Sequence, residues 1–248
     1  MKVLAIDSSN QPLSVALLDD QKILFTTTMT AHRKHARYLL PIIQDMFKKS
    51  SLTPQDLDRV VVADGPGSFT GLRIAVTTAK TLAFTLHIDL VGVSSLLDLA
   101  LNVQNEGALV NPIFDARNQN LFTGLYQIKN GIPQSIIPDQ HVSIDDWTEK
   151  LSKYKNQFLY VVGNADHFKS NLKHVFSDHL IVSKGINNLP QAANLGLFGE
   201  NKTPVSDVNK FVPNYLRLTK AEFDWKQQHP KAANKDDQSY VNEYTAKI

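Results

Sequence analysis

Short saturated apolar runs alternate along this chain with longer stretches of helical periodicity. Residues 2–7 (Lys-Val-Leu-Ala-Ile-Asp) read as a buried strand closed by an acid, and residues 13–18 and 22–28 as a strand pair turning at Asp19-Asp20. A long helix is predicted from about His32 to Lys49, and a short one opens at Pro54. A strand over 59–63 precedes a second long helix over Ile74–Leu86, followed by a strand over 90–93 and a helix over 96–103 capped by Ser94-Ser95. A second round begins near Ala108, with an apolar strand to Phe114 closed by Asp115 and a strand over 121–128. Two strands ending in Asp, each leading into a hairpin, suggest a duplicated α/β unit, although no residue-level repeat is visible. A strand over 158–163 turns at Gly163-Asn164-Ala165 into a helix, and a short helix is expected over 191–200. Residues 226–248 are polar and read as a mobile tail.

Both long helices carry more apolar surface than one core-facing stripe needs. In the first, Ala36, Leu40, Ile43 and Phe47 form the stripe expected to cover the helix's own sheet. Leu39 and Met46 lie beside it, and His35, Tyr38 and Ile42 widen the arc. Pro41 inside this helix removes a backbone donor and predicts a bend, unless the helix begins later. Between Ile74 and Leu86 the only charge is Lys80. Leu72, Ala75, Val76, Ala79, Leu82 and Ala83 make one face, and Ile74, Thr78, Thr81, Phe84 and Thr85 cover much of the rest. Two neighbouring helices with surplus apolar surface are covered either by a layer of their own chain or by another subunit.

Composition narrows the class. With 248 residues, 42% hydrophobic and 20% charged, the chain can build one large or two small globular domains. No apolar run is long enough to span a bilayer, and the strand-like start leaves no room for a secretory signal. The absence of cysteine excludes disulfides, thiol catalysis and cysteine metal sites, and together these features favour the cytoplasm. A net charge of +2 does not argue for nucleic-acid binding by itself.

Candidate chemistry concentrates in Asp64–Arg73 (DGPGSFTGLR), between a strand and a helix. Its glycines Gly65, Gly67 and Gly71 permit a sharp turn, and with Ser68 they form either a tight connection or an anion-holding loop. The loop is neither a P-loop, because Leu72-Arg73 follows Gly71, nor a dinucleotide fingerprint. Asp7 and Asp115, each ending a strand, can meet at one cleft as magnesium ligands or bases, or can cap the following turns. His32 and His35 share a helix face, but no third ligand completes a metal set and Arg33, Lys34 and Arg37 crowd them. No histidine stands in a recognisable relay with Ser8, Ser9 or Ser68.

The segments Met1–Asn10 (MKVLAIDSSN), His32–Asp45 (HRKHARYLLPIIQD), Gly65–Arg73 (GPGSFTGLR) and Pro213–Arg217 (PNYLR), with the Asp115-Ala116-Arg117 turn, resemble the TsaB family, formerly YeaZ. The resemblance spans about residues 1–220 and implies an actin-like, hexokinase-type α/β fold of two lobes, each on a βββαβα core. The lobes would cover 1–104 and 105–222, the last part returning to the first lobe, with the tail over 223–248. It further implies a cytoplasmic, non-catalytic, dimerising subunit that pairs with TsaD. With TsaE, that complex transfers threonylcarbamoyl from its adenylate to the tRNA adenosine beside the anticodon. Contact with tRNA is then indirect, and the same face would serve a homodimer when the chain is alone. The implied interface comprises His35, Tyr38, Leu39, Ile42, Asp45 and Met46 from the first helix and Arg73, Ile74, Thr77 and Lys80 from the second. Arg73, unfavourable at a helix start, suggests a carboxylate or phosphate partner across the junction. No cofactor or metal is expected of this chain itself. ATP or ADP stays open as a ligand at the subunit junction, near a loop comprising Asp7, Gly65, Gly67, Ser68, Gly71 and Asp115. The rival readings are an actin-fold ATPase or kinase using Asp7 and Asp115, an M22-type metallopeptidase, and a plain tRNA-binding module.

Overall fold

The saturated apolar strands are central because they are covered on both faces. In the computed structural model, which describes residues 1–30 and 34–217, β1 (Lys2–Asp7) sends Leu4 and Ile6 to one side and Val3 and Ala5 to the other. Its neighbour β4 (Arg59–Gly65) does the same with Val60 and Val62 against Val61 and Ala63. A strand buried on both faces has no reason to alternate, and its sequence shows a continuous run.

The first sheet has the order β3-β2-β1-β4-β5, with β2 (Pro12–Asp19), β3 (Lys22–Thr30) and β5 (Asp89–Ser94). The β1–β2 and β2–β3 pairs are antiparallel, and β1–β4 and β4–β5 are parallel. Helix α1 (His35–Ser50) follows β3, α2 (Phe69–Leu86) follows β4, and α3 (Ser95–Ala100) follows β5. The second sheet repeats this plan as β8-β7-β6-β9-β10. It is built from β6 (Leu109–Arg117), β7 (Asn120–Lys129), β8 (Ile132–Ser143), β9 (Leu159–Gly163) and β10 (Leu180–Val182). Helices α4 (Ile144–Leu151) and α5 (Lys169–Phe176) cover one of its faces with Trp147, Leu151, Leu172 and Phe176. The result is the two-lobed α/β fold expected, each lobe carrying a five-stranded mixed sheet.

The lobes exchange covering helices. Leu96, Leu99 and Ala100 of α3, which follows the first sheet, pack on Val110, Phe114, Tyr126 and Val162 of the second. Ala192, Ala193 and Leu195 of α6 (Ala192–Gly199) pack back on Val3, Ala5, Leu18 and Val61 of the first. The chain then runs along α2, where Lys80 Nζ donates to the carbonyls of Asn209 (3.0 Å) and Phe211 (2.7 Å).

Several boundaries differ from expectation, among them α3, which ends at Ala100 and not at 103. β6 does not stop at Asp115 but continues to Arg117. Helix α2 begins at Phe69, so Gly71 belongs to its first turn. Helix α1 begins at His35, while His32 and Arg33, like residues 218–248, lie outside the described residues. The buried face of α1 is also turned by about one residue. His35, Leu39, Ile43, Met46 and Phe47 face inward, whereas Ala36 and Leu40, assigned to the core from the sequence, are exposed. The cause is His35, whose Nε2 lies 3.1 Å from the Gln11 carbonyl; drawing its ring inward brings Leu39, one turn later, in with it.

Candidate functional site

Two concavities flank α2. The first is an inter-lobe cleft of about 840 Å³, and the second is a groove of about 570 Å³ between α1 and α2.

The glycine loop forms part of the cleft wall, but its glycines serve packing. A Cβ on Gly67 would fall on the Ser9 carbonyl oxygen, and one on Gly71 would fall on that of Ser8. Ser68 N–H donates to Ser9 O (2.6 Å), Gly71 N–H donates to Ser68 Oγ (3.3 Å), and Ser8 Oγ donates to Gly71 O (2.7 Å). The loop is thus sealed onto the turn after β1, and two donors that an anion would need are already engaged. Gly65, at φ +132°, packs on the Asn214 carbonyl and does not line the cleft. Gly71→Ala should cost about 1–3 kcal/mol, because the Ser8 backbone cannot retreat without moving β1. Thermal melting of the variant checks this, and an unchanged midpoint would refute the packing role.

Of the two roles weighed for Asp7 and Asp115, meeting at one cleft does not occur, and capping the following turn does: each accepts from the backbone N–H two residues on. Asp7 is fully buried, accepts from Ser9 N–H (2.7 Å) and faces Asp98 of α3. Burial, and then the neighbouring Asp7 charge, push the Asp98 carboxyl well above the usual range, and burial pushes Asp7 up too. Asp115 lines the cleft, where Oδ2 meets His167 Nδ1 at 3.1 Å and Oδ1 accepts from Arg117 N–H (2.7 Å). Asp98 and His167 were not anticipated: an acid within a leucine-rich helix and an isolated histidine give no local signal. Among the described residues no three histidine, aspartate or glutamate side chains cluster to hold a metal.

Only some of the residues expected at a partner interface stand at the groove surface. Leu39 and Met46 are 1% and 3% exposed and belong to the chain's own core, and Tyr38 and Ile42 are half-buried against it. His35 is buried, Lys80 is engaged with the backbone at 209–211, and exposed Asp45 pairs with Lys49 at 2.7 Å. Arg73 already has partners in its own chain: it lies 4.1 Å over the Phe69 ring and donates through Nε to Tyr215 Oη (3.2 Å). Leu39, Arg73, Ile74 and Thr77 do line the groove, joined by Ala36, Leu40, Phe69, Thr70 and Thr78. Leu40 and Phe84 are 57% and 58% exposed.

Over residues 27–225 the chain matches the family model described as TsaD, tRNA N6-adenosine threonylcarbamoyltransferase. It is 38% identical over 225 residues to the tRNA threonylcarbamoyladenosine biosynthesis protein TsaB of Bacillus subtilis, covering 91% of this chain and 98% of the relative. It is 34% identical over 140 residues to the Escherichia coli protein of the same name, covering 53% and 58%. Its fold matches a crystal structure from Pseudomonas aeruginosa, of a protein with similarity to peptidase YEAZ, at a TM-score of 0.74 and 25% identity, over 87% of this chain and 99% of that one. The length of the Bacillus match, together with the two-lobed fold, establishes that this chain belongs to the TsaB (YeaZ) family of tRNA threonylcarbamoyladenosine biosynthesis proteins.

Proposed function

We propose that this chain is a non-catalytic subunit that docks on TsaD through the α1–α2 face and supports threonylcarbamoyl transfer to the tRNA adenosine beside the anticodon. TsaE and tRNA join through that complex, in the cytoplasm. The observation carrying the docking site is the open stripe of Leu40, Thr77 and Phe84, which stands exposed among the described residues beside the partly covered Phe69 ring. An apolar face of this kind is a liability unless a partner buries it. Two findings support leaving the chemistry to TsaD. Asp7 is withdrawn from the cleft to face Asp98, and the glycine loop is closed on Ser8 and Ser9. Depletion of the chain in cells, followed by mass spectrometry of tRNA nucleosides, is expected to remove threonylcarbamoyladenosine. An undiminished modification level would overturn the reading.

A further inference from the structure

The junction between the lobes holds a pair of acids that line neither the cleft nor the groove, Asp64 and Asp139. Asp64 stands at the end of β4 in the first lobe. Its Oδ2 occupies the space that a Cβ on Gly92 of β5 would need, and the Phe211 ring shares that space. Asp139, on β8 of the second lobe, lies in the same way over Gly124 of β7. Each acid thus rests on a strand position where any side chain would displace it.

Asp139 reaches across the junction. Its Oδ2 accepts from Ser94 Oγ at the end of β5, and its Oδ1 accepts from Tyr126 Oη (2.5 Å) within its own sheet. Ser94 is the ladder partner of Gly65, so this bond sets Asp139 beside Asp64. Ser94 Oγ in turn accepts from Leu96 N–H (3.1 Å) and Leu97 N–H (3.2 Å), which directs its own proton at Asp139. The second sheet is thereby tied to the cap of α3, the helix that packs on it from the first lobe. Among the described residues no cation offsets either acid. The charge acting on Asp64 is that of Asp139. Lys80 of α2 reaches the same C-terminal segment but gives Nζ to the Asn209 and Phe211 carbonyls. His141, two residues along β8, lies against the Phe122 ring with centroids 5.3 Å apart.

From this geometry we propose that Asp64 and Asp139 form a proton-dependent latch between the lobes, closed while Asp64 is neutral and loosened once both carboxylates are charged. Two like charges enclosed at one junction repel with little solvent screening. Asp139 charges first, because two hydroxyls favour its anion; burial carries it only to about 6. Burial, and then the Asp139 charge, push Asp64 up to about 7. Both values stand above the ordinary carboxylate range, so the latch contributes fully in acid and is lost as pH climbs through 6 and 7. It acts within a single chain, and its test is independent of TsaD docking.

The chain contains no cysteine, so Lys48→Cys on α1 and Lys155→Cys in the second lobe, both at exposed positions, give unique sites for spin labels. The test is the lobe-to-lobe distance distribution of this doubly labelled full chain, read by pulsed electron resonance at about pH 5.5 and about pH 8. One narrow distance is expected in acid, joined at pH 8 by a longer component. Asp64→Asn removes the second charge and should keep the single distance at both pH values. Asp139→Asn should do the same by removing the first. Asp98→Asn, which alters the other buried pair, should retain the parental shift. A parental distribution that does not move between the two pH values overturns the latch. So does a shift of parental size in both Asp64→Asn and Asp139→Asn, or one that disappears in Asp98→Asn alone.

Discussion

Leu40→Glu is expected to weaken association with TsaD by roughly 30- to 1,000-fold, a cost on the order of 2–4 kcal/mol, while leaving the chain folded. Leu40 stands 57% exposed on α1, so its replacement removes no packing from the core. Its neighbours in the groove include Ala36, one turn earlier on α1, and Phe69 and Ile74 across it, which offer a carboxylate no charged partner, and Arg73 is occupied by the Phe69 ring and Tyr215 Oη. A charge enclosed there by a partner would be desolvated without compensation. The sequence alone would have chosen Ile42, but that side chain is half-buried against the chain's own core. Ile42→Glu would therefore lower stability and association together and decide nothing. Ile132→Glu, at a residue 48% exposed on the second sheet, is the matched control. Binding of TsaD at parental affinity by Leu40→Glu, with Ile132→Glu weakened instead, would move the docking face to the other lobe.

The proposed docking face is also stiff. Helix α2 is fixed along one side by Lys80 on the 209–211 backbone and near its start by the Phe69–Arg73–Tyr215 stack. A preordered face loses little conformational entropy on binding, so more of the contact energy appears as affinity. Phe69 belongs to both the groove and the cleft. A partner pressing on the groove thus touches a ring that forms one wall of the inter-lobe space.

The sequence disclosed the central strands, because sandwiching makes their apolar runs unmistakable, and the duplication, because Asp7 and Asp115 recur at matching places in the two halves. It hid β8, whose twelve residues sit at a sheet edge, carry Pro133 and Pro138 and are mostly exposed or half-buried; an edge strand needs no apolar pattern. Helix α4, by contrast, carries a readable signal: its buried Ile144, Trp147 and Leu151 stand at i, i+3 and i+7 behind the Ser143 cap. The surplus of apolar surface on α1 and α2 was legible as a quantity but not as a direction. A 100° period allows neighbouring stripes, and the choice was made by a non-local contact between His35 and the Gln11 carbonyl. The partner of Asp7 was hidden for the same reason: β1 meets Asp98 only because α3 crosses to the junction of the lobes.

That buried pair gives the largest expected stability effect: Asp98→Asn should stabilise the protein, and increasingly so as pH rises. Asp7 and Asp98 are both fully buried, and among the described residues neither Asp98 oxygen nor Asp7 Oδ2 finds a well-aligned donor. Burial and the Asp7 charge raise the Asp98 carboxyl far above its ordinary range, so the folded state holds a proton that the unfolded chain releases above about pH 4. The sign follows directly. Stability from this site is complete below the unfolded value and falls as pH climbs toward the folded one, by up to about 1.4 kcal/mol per unit. An asparagine keeps the shape and presents an N–H₂ toward Asp7, but needs no proton from solvent. Asp64, pushed by burial up to about 7, and Asp139, to about 6, add their own slopes to parent and variant alike. The informative quantity is therefore the difference between the two proteins in chemical denaturation at pH 5, 6 and 7. It should grow in favour of Asp98→Asn from pH 5 to 7, by at most about 1.4 kcal/mol per pH unit. A difference that stays constant over this range, or a variant less stable than the parent at pH 7, would mean that Asp98 carries its charge in the folded chain and is held by a contact other than a shared proton.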